Sequence, residues 1–277
     1  MMNDSLTVYL CRCHSNTVPN MALSILFTLA TIGFAASIFW FKKQQAVART
    51  RALEAVASEI QLPFEEKDSF GLIAQLKGFD LFKRERRRKW FRNGKIANVM
   101  RSKVGETEVY LFDYIYVVST GKSSKKVAQT VFFANDKNWY LPNFRLKPET
   151  WWHKVLGKLG AKTDINFSEN PEFSDKYWLT GELESLIRKQ FGPELQQFLS
   201  ERPPTHLEGN NYYLLAYKPG TAIGASQTKA FFDHCCQLVK LLQKEGGQTL
   251  FQLADVTTPE GEPLPEVVKT MDKLERD

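Results

Sequence analysis

Four cysteines and four histidines are spread over 277 residues, and no G-x-S-x-G, H-E-x-x-H or C-x-x-C occurs. Those gaps remove the common serine-hydrolase, zinc-protease and thioredoxin-like signatures. The cysteines stand as two close pairs, Cys11 with Cys13 and Cys235 with Cys236. Close neighbours seldom bond to each other, so no disulfide framework is implied and a reduced, cytoplasmic setting suffices. One stretch also lacks charge altogether: Met21 to Phe41 is twenty-one residues without Asp, Glu, Lys or Arg.

What that stretch does contain is Leu, Ile, Phe and Ala, with Trp40 near its end. A helix of that length covers about 31 Å, close to the hydrocarbon core of a bilayer. It is longer than the apolar region of a signal peptide, and its small-residue cluster, Ala35-Ala36-Ser37, lies inside the run. The expectation is a single transmembrane helix at 21–41 with Trp40 at the interface. Lys42, Lys43, Arg49 and Arg51 flank its C-terminal side, against Arg12 alone on the other. By the positive-inside rule the rest of the chain faces the cytoplasm. Residues 1–20 differ in character from the remainder of the chain. Translation from Met21 is therefore a second expectation, which an N-terminal peptide beginning before Met21 would end.

The net charge of +6 is localised. Lys42 to Arg92 holds thirteen basic and seven acidic residues, while Gly246 to Asp277 holds three basic and seven acidic. Seven of the ten residues from Lys83 to Arg92 are cationic: Lys83, Arg84, Arg86, Arg87, Arg88, Lys89 and Arg92, with Trp90 and Phe91 among them. Three readings stay open for this run: contact with anionic lipid headgroups, contact with nucleic acid, or a solvated basic rim. Proximity to the span favours lipid over nucleic acid.

Periodicity divides the remainder. Gln44 to Ile60 carries apolar residues on one helical face and ends before Pro63, and a loop-like stretch follows to about Lys83. From Glu108 to Val118 the period is two, with Tyr110, Phe112, Tyr114 and Tyr116 on one face; Val127 to Ala134 returns as the second strand of a hairpin. Further strands are read at 95–102, 139–146, 164–167 and 176–180, and a last hairpin turns at Gly209-Asn210-Asn211. Helices are read at 149–159, 182–191, 194–200 and 226–245. Hairpins separated by helices without a regular βαβ beat predict an α+β fold with a mainly antiparallel sheet. The organisation is then a short N-terminal segment at 1–20, the span at 21–41, a juxtamembrane helix and basic linker at 42–92, a soluble domain at 93–245, and a Pro- and Glu-rich disordered tail at 246–277.

Candidate chemistry is sparse. Gly121-Lys122-Ser123 resembles a phosphate loop, but Tyr116 stands where its first glycine belongs, and a strand comes after it. Asp233, His234, Cys235 and Cys236 have the right atoms for a metal. Adjacent helical residues point about 100° apart, however, so core packing is the better reading. His153 and His206 could act as general bases, and Asp113 and Asp164 are carboxylates in aromatic surroundings where a raised pKa would suit acid catalysis. Asp113 lies opposite an aromatic strand face, so an exposed or turn-bonded aspartate is expected there.

The set Phe112-Asp113-Tyr114-x-Tyr116, Gly121-Lys122 and Gln129-Thr130-Val131 resembles a widespread uncharacterised family of bacterial membrane-anchored proteins. Leu141-Pro142-x-Phe144-x-Leu146-x-Pro148-Glu149, Asp164-Ile165-x-Phe167, Pro171-x-Phe173-Ser174 and Phe191-x-Pro193-x-Leu195 extend the likeness over roughly residues 98–219. Val118-Ser119-Thr120 departs from the small-residue run that often precedes the turn lysine. The resemblance implies a single-pass protein of the bacterial inner membrane whose soluble domain has no assigned activity, cofactor or catalytic residues. The leading expectation is thus a cytoplasm-facing, membrane-tethered binding or scaffold module with an unspecified protein partner. The alternatives are a tethered hydrolase-like enzyme using Asp113, Asp164 or His153, and anionic-lipid recognition through 83–92.

Overall fold

In the computed structural model residues 18–82, 91–119, 123–149 and 164–246 are described. The chain divides into two units, 1–51 and 52–277.

The first unit consists of most of helix α1, Val18–Glu59. Leu23, Ile25, Phe27, Phe34, Phe39 and Trp40 along it are each more than half exposed. Its hydroxyls close on the helix itself: Thr28 donates to the Ser24 carbonyl at 2.7 Å, Thr31 to Thr28 at 2.8 Å, and Ser37 to Phe34 at 2.7 Å. A helix with apolar groups all round and its hydroxyls satisfied internally needs no water. By length and composition it could cross a membrane.

The second unit begins in the last turns of α1, where Leu53 and Ala57 are buried in its core. The helix ends as Gln61 enters the left-handed region (φ 57°) and the Leu62 N–H closes on the Ala57 carbonyl at 2.8 Å. Then come β1 (Phe64–Lys67), α2 (Leu72–Gln75) and a 3-10 turn at Leu76–Gly78. The next strands are β2 (Phe91–Val104), β3 (Thr107–Ser119), β4 (Ser124–Asn135) and β5 (Leu141–Pro148). After α3 (Pro171–Lys176) the chain forms β6 (Tyr177–Gly181), α4 (Glu184–Gln190), α5 (Pro193–Ser200), β7 (His206–Asn211), β8 (Tyr213–Tyr217) and α6 (Ala225–Gly246). One eight-stranded sheet results, in the order β1-β2-β3-β4-β8-β7-β5-β6. Every pairing is antiparallel, so the fold is α+β as the pattern predicts.

Alternation in β3 divides the interior into two cores. Tyr110, Phe112 and Tyr114 join Leu72, Leu76, Phe79 and Phe82 on one face. Val109 and Leu111 join Phe132, the helical residues Phe231, Phe232, Leu238 and Leu242, and α1's Leu53 on the other. Each such side chain contributes about 1.5–3 kcal/mol relative to exposure.

Several local readings change. The stretch to Lys83 read as loop-like carries β1 and α2, and its Leu72, Leu76, Phe79 and Phe82 cover the aromatic face. Their spacing of three and four is helical, but the segment is too short and too broken for periodicity alone to reveal. Asp164 to Phe167 is not a strand; it lies along β6 through a single backbone–backbone bond, Ile165 N–H to the Leu179 carbonyl at 2.9 Å. The last hairpin turns at Asn211-Tyr212, just beyond the Gly209-Asn210-Asn211 centre read from the sequence, with Asn210 opposite Tyr213. Gly209 lies inside β7 because the Phe144 ring occupies the space of a side chain: an added Cβ would meet its Cε1 at 2.1 Å. The helix read from 149 lies outside the described residues from position 150 onward, as do the turn at 120–122 and the tail from 247.

Candidate functional site

The two candidate acids belong to the scaffold. Asp113 on β3 is 2% exposed, neither the exposed nor the turn-bonded residue expected, because the helices cover the face opposite the aromatics. Its carboxylate accepts from the Asn98 amide at 2.8 Å and the Thr130 hydroxyl at 3.2 Å. Asn98 reaches it from a bulge in β2, with its backbone in the left-handed region (φ 55°). Asp164 accepts the Leu179 N–H at 3.0 Å; burial raises its pKa, and that backbone bond works against the rise. β3 and β6 are five places apart in the sheet order, about 24 Å along the sheet at roughly 4.8 Å per strand. The carboxylates therefore do not converge. His153 lies outside the described residues, as do Lys83, Arg84, Arg86, Arg87, Arg88, Lys89 and Trp90; Arg92 falls in β2. The His206 ring rests 5.3 Å from that of Tyr217, whose hydroxyl donates to Glu208 at 2.7 Å.

What the structure does assemble is a pocket of about 440 Å³ on the helical side of the sheet. That size falls within the range usual for small-molecule sites, about 300–1,000 Å³. Three separate segments line it: the chain after α5, the turn after β8, and the first half of α6.

The turn is held from beneath by β4. Thr130 passes Asp113's anchorage onward, since its hydroxyl donates to Asp113 and accepts the Ile223 N–H at 2.9 Å. The Gly220 N–H donates to Gln129 Oε1 at 3.0 Å, and the Thr130 N–H to the Thr221 carbonyl at 3.0 Å. Gly220 itself has φ +64°, the left-handed conformation that suits glycine. Asp113, one of the residues considered for catalysis, thus positions a wall of the pocket two hydrogen bonds away.

The other wall is set by Phe198. Arg202 lies over its ring at 3.9 Å and donates to its carbonyl at 3.2 Å, and the His234 imidazole stacks on the same ring at 5.0 Å. Lys176 bonds the carbonyls of Ser200 and Arg202, fixing the segment's path.

Electrostatics in the pocket are one-sided. Arg202 and Lys218 line it, and among the described residues no carboxylate does. Glu201 approaches Arg202 only to 3.8 Å with its side chain 57% exposed, which offsets little. Among the described residues no carboxylate pairs with Lys218. Burial, with Arg202 and Lys218 close by, lowers His234 to about 4, so its ring is neutral at neutral pH. Pro203, Ala222, Ile223, Ala230 and Phe231 make the floor apolar. Thr205 and Thr221 donate to the carbonyls of Pro203 and Pro219, both at 3.3 Å, and neither bonds to His234. Without a nucleophile on the imidazole the site has no acyl-transfer geometry. It can hold an anion against an apolar surface.

Cys235 is fully buried, and burial raises its thiol well above the usual range; Cys236, half-buried, is raised to about 11. Both are inert packing residues at neutral pH. Among the described residues no three His, Cys, Asp or Glu side chains converge on a metal position.

No family model matches the chain, and no curated protein matches it. Among solved structures it is similar to the crystal structure of the mycobacterial trehalose monomycolate transport factor A, TtfA, at 12% identity. That match covers 71% of this chain and 93% of the other with a TM-score of 0.46. The likeness is distant, and nothing about this chain's chemistry follows from it.

Proposed function

We propose that this chain is a membrane-tethered, non-catalytic binding module whose folded unit faces the cytoplasm. One observation carries the reading. The pocket offers two cations over an apolar floor with no acid–base or nucleophile pair, while Asp113 and Asp164 are engaged in scaffold bonds. The tether is supported by α1, with its exposed apolar length and internally bonded hydroxyls. The orientation rests on Lys42, Lys43, Arg49 and Arg51 beyond the apolar run. In a bacterium the reading is of an inner-membrane protein that spans once. Lys83 to Arg92 then supplies cations for anionic headgroups, each contributing about 1 kcal/mol near the surface.

Protease protection of a C-terminal tag, in oriented inner-membrane vesicles and in spheroplasts, tests the topology. Cleavage in inside-out vesicles and protection in spheroplasts is the expected result; the reverse pattern overturns the orientation. For the non-catalytic part, the purified full chain is screened against hydrolysable esters, phosphoesters and peptides. Turnover abolished by substitution of a pocket residue would sink the module reading.

A further inference from the structure

From the pocket's geometry we infer that its ligand is a small amphipathic anion, with a carboxylate or phosphate head between Arg202 and Lys218 and its apolar body over Ile223 and Phe231. This deepens the binding-module reading and rests on it.

The head position follows from the two cations. Arg202 is held in place by the Phe198 ring and carbonyl, so little further ordering is needed when it meets an anion. Lys218 stands at the end of β8 with no carboxylate partner among the described residues, on a turn anchored through Thr130 and Gln129. A cation held in a half-enclosed pocket without a counter-charge is a standing site for one. Among the described residues no acidic side chain lines the cavity, so a cationic ligand finds no counter-charge there.

The body follows from the floor. Ile223 and Phe231 are both under 10% exposed and belong to the helical-side core, so the surface they offer is rigid. About 440 Å³ admits roughly fifteen non-hydrogen atoms at about 30 Å³ each. A single short chain or one ring system fits. Such an anion could come from the adjoining bilayer or from solution, and the head chemistry is the same in both cases.

The test uses the full chain with ¹³C-labelled isoleucine methyl groups in phosphatidylcholine nanodiscs, Ile223 being assigned through Ile223→Val. Octanoate should move the Ile223 methyl resonance saturably. Octanol should bind at least tenfold more weakly, and octyltrimethylammonium should give no shift. Lys218→Gln, at a half-buried position just after β8, should weaken octanoate at least fivefold and leave octanol unchanged. Arg202→Gln should act in the same direction. Equal affinity for octanol and octanoate overturns the anion site, as does indifference to Lys218→Gln or the absence of any Ile223 shift. Nanodiscs containing phosphatidylglycerol, without octanoate, separate the sources. A Lys218-dependent Ile223 shift there identifies a bilayer headgroup, and a response to octanoate alone identifies a soluble anion; either upholds the site. Failure of these titrations leaves the tether and its topology untouched, whereas turnover in the substrate screen would overturn the module reading even if octanoate bound.

Discussion

Two long helices begin and end the described chain, and they handle apolar residues in opposite ways. Along α1 the apolar residues point in every direction and remain exposed from Leu23 to Phe41. In α6 the apolar residues Phe231, Phe232, Cys235, Leu238, Val239 and Leu242 form one buried face, while Lys229 and Asp233 pair on the outer face at 2.7 Å. The polar groups differ as well. Thr28, Thr31 and Ser37 in α1 close on their own helix, whereas Gln243 of α6 reaches Thr107 at 2.7 Å, far away in sequence. One helix is built for a surrounding without hydrogen-bond partners, and the other for a partner surface. The difference teaches that helix composition alone does not decide burial; the angular distribution of apolar residues does.

The largest test of this contrast is to place charge in α1. If α1 is the proposed tether, Ile32→Arg together with Phe34→Arg should move the chain from the carbonate-resistant pellet to the supernatant. Each arginine at mid-bilayer costs about 2.5–3.5 kcal/mol on insertion scales. Retention of the doubly substituted chain in the membrane pellet would break the comparison.

Truncation within each helix comes next. Leu238→Ala should destabilise the folded unit by about 2–5 kcal/mol in denaturant titration, because it leaves a cavity in a core with no exposed side. Leu29→Ala, at a 60% exposed position, should change the same midpoint by less than about 0.5 kcal/mol.

The polar groups sharpen the contrast further. Asp113→Ala removes the acceptor of both Asn98 and Thr130 and loosens the Ile223 turn, at a cost of about 2–4 kcal/mol. Thr28→Ala should leave unfolding unchanged, since the Ser24 carbonyl already belongs to the helix ladder.

The smallest of the expected losses of stability is that in acid. His234 has its folded pKa lowered to about 4 from 6.5, so the unfolded chain binds the proton first. Its contribution is present above pH 6.5 and is lost as pH falls towards 4. After solvent screening at a half-buried site it amounts to about 1–3 kcal/mol. Melting between pH 7 and 4.5 should therefore fall less steeply in His234→Phe than in the natural chain. Equal slopes would remove His234 from the account.

Much of the architecture was legible in the residues. The alternation of Tyr110, Phe112 and Tyr114 carries β3, and Phe231, Cys235, Leu238, Val239 and Leu242 recur at the spacing of one helical face. The 64–82 stretch was not legible, because a four-residue strand and a one-turn helix are too short for a period to register. The sequence reading of Asp113, exposed or turn-bonded, misses its burial, because alternation assigns a side chain to a face and does not say what covers that face. The basic run was legible as charge, but charge by itself names no partner. His234 stands out in the sequence only for its cysteine neighbours; its actual companions, Phe198 and Arg202, are more than thirty residues away. Nothing contiguous could have signalled the pocket.

By itself, then, the sequence determined the features that short-range physics controls. The apolar length of α1, the period of each strand, the amphipathic α6 and the asymmetry of charge around the first helix need only neighbours and geometry. Tertiary structure alone decided the strand order, the burial of Asp113 and the site. A pocket made by residues 202–205, 218–223 and 227–234 comes into being only when β4 pins one segment and Phe198 the other. No local pattern encodes which distant surfaces will meet.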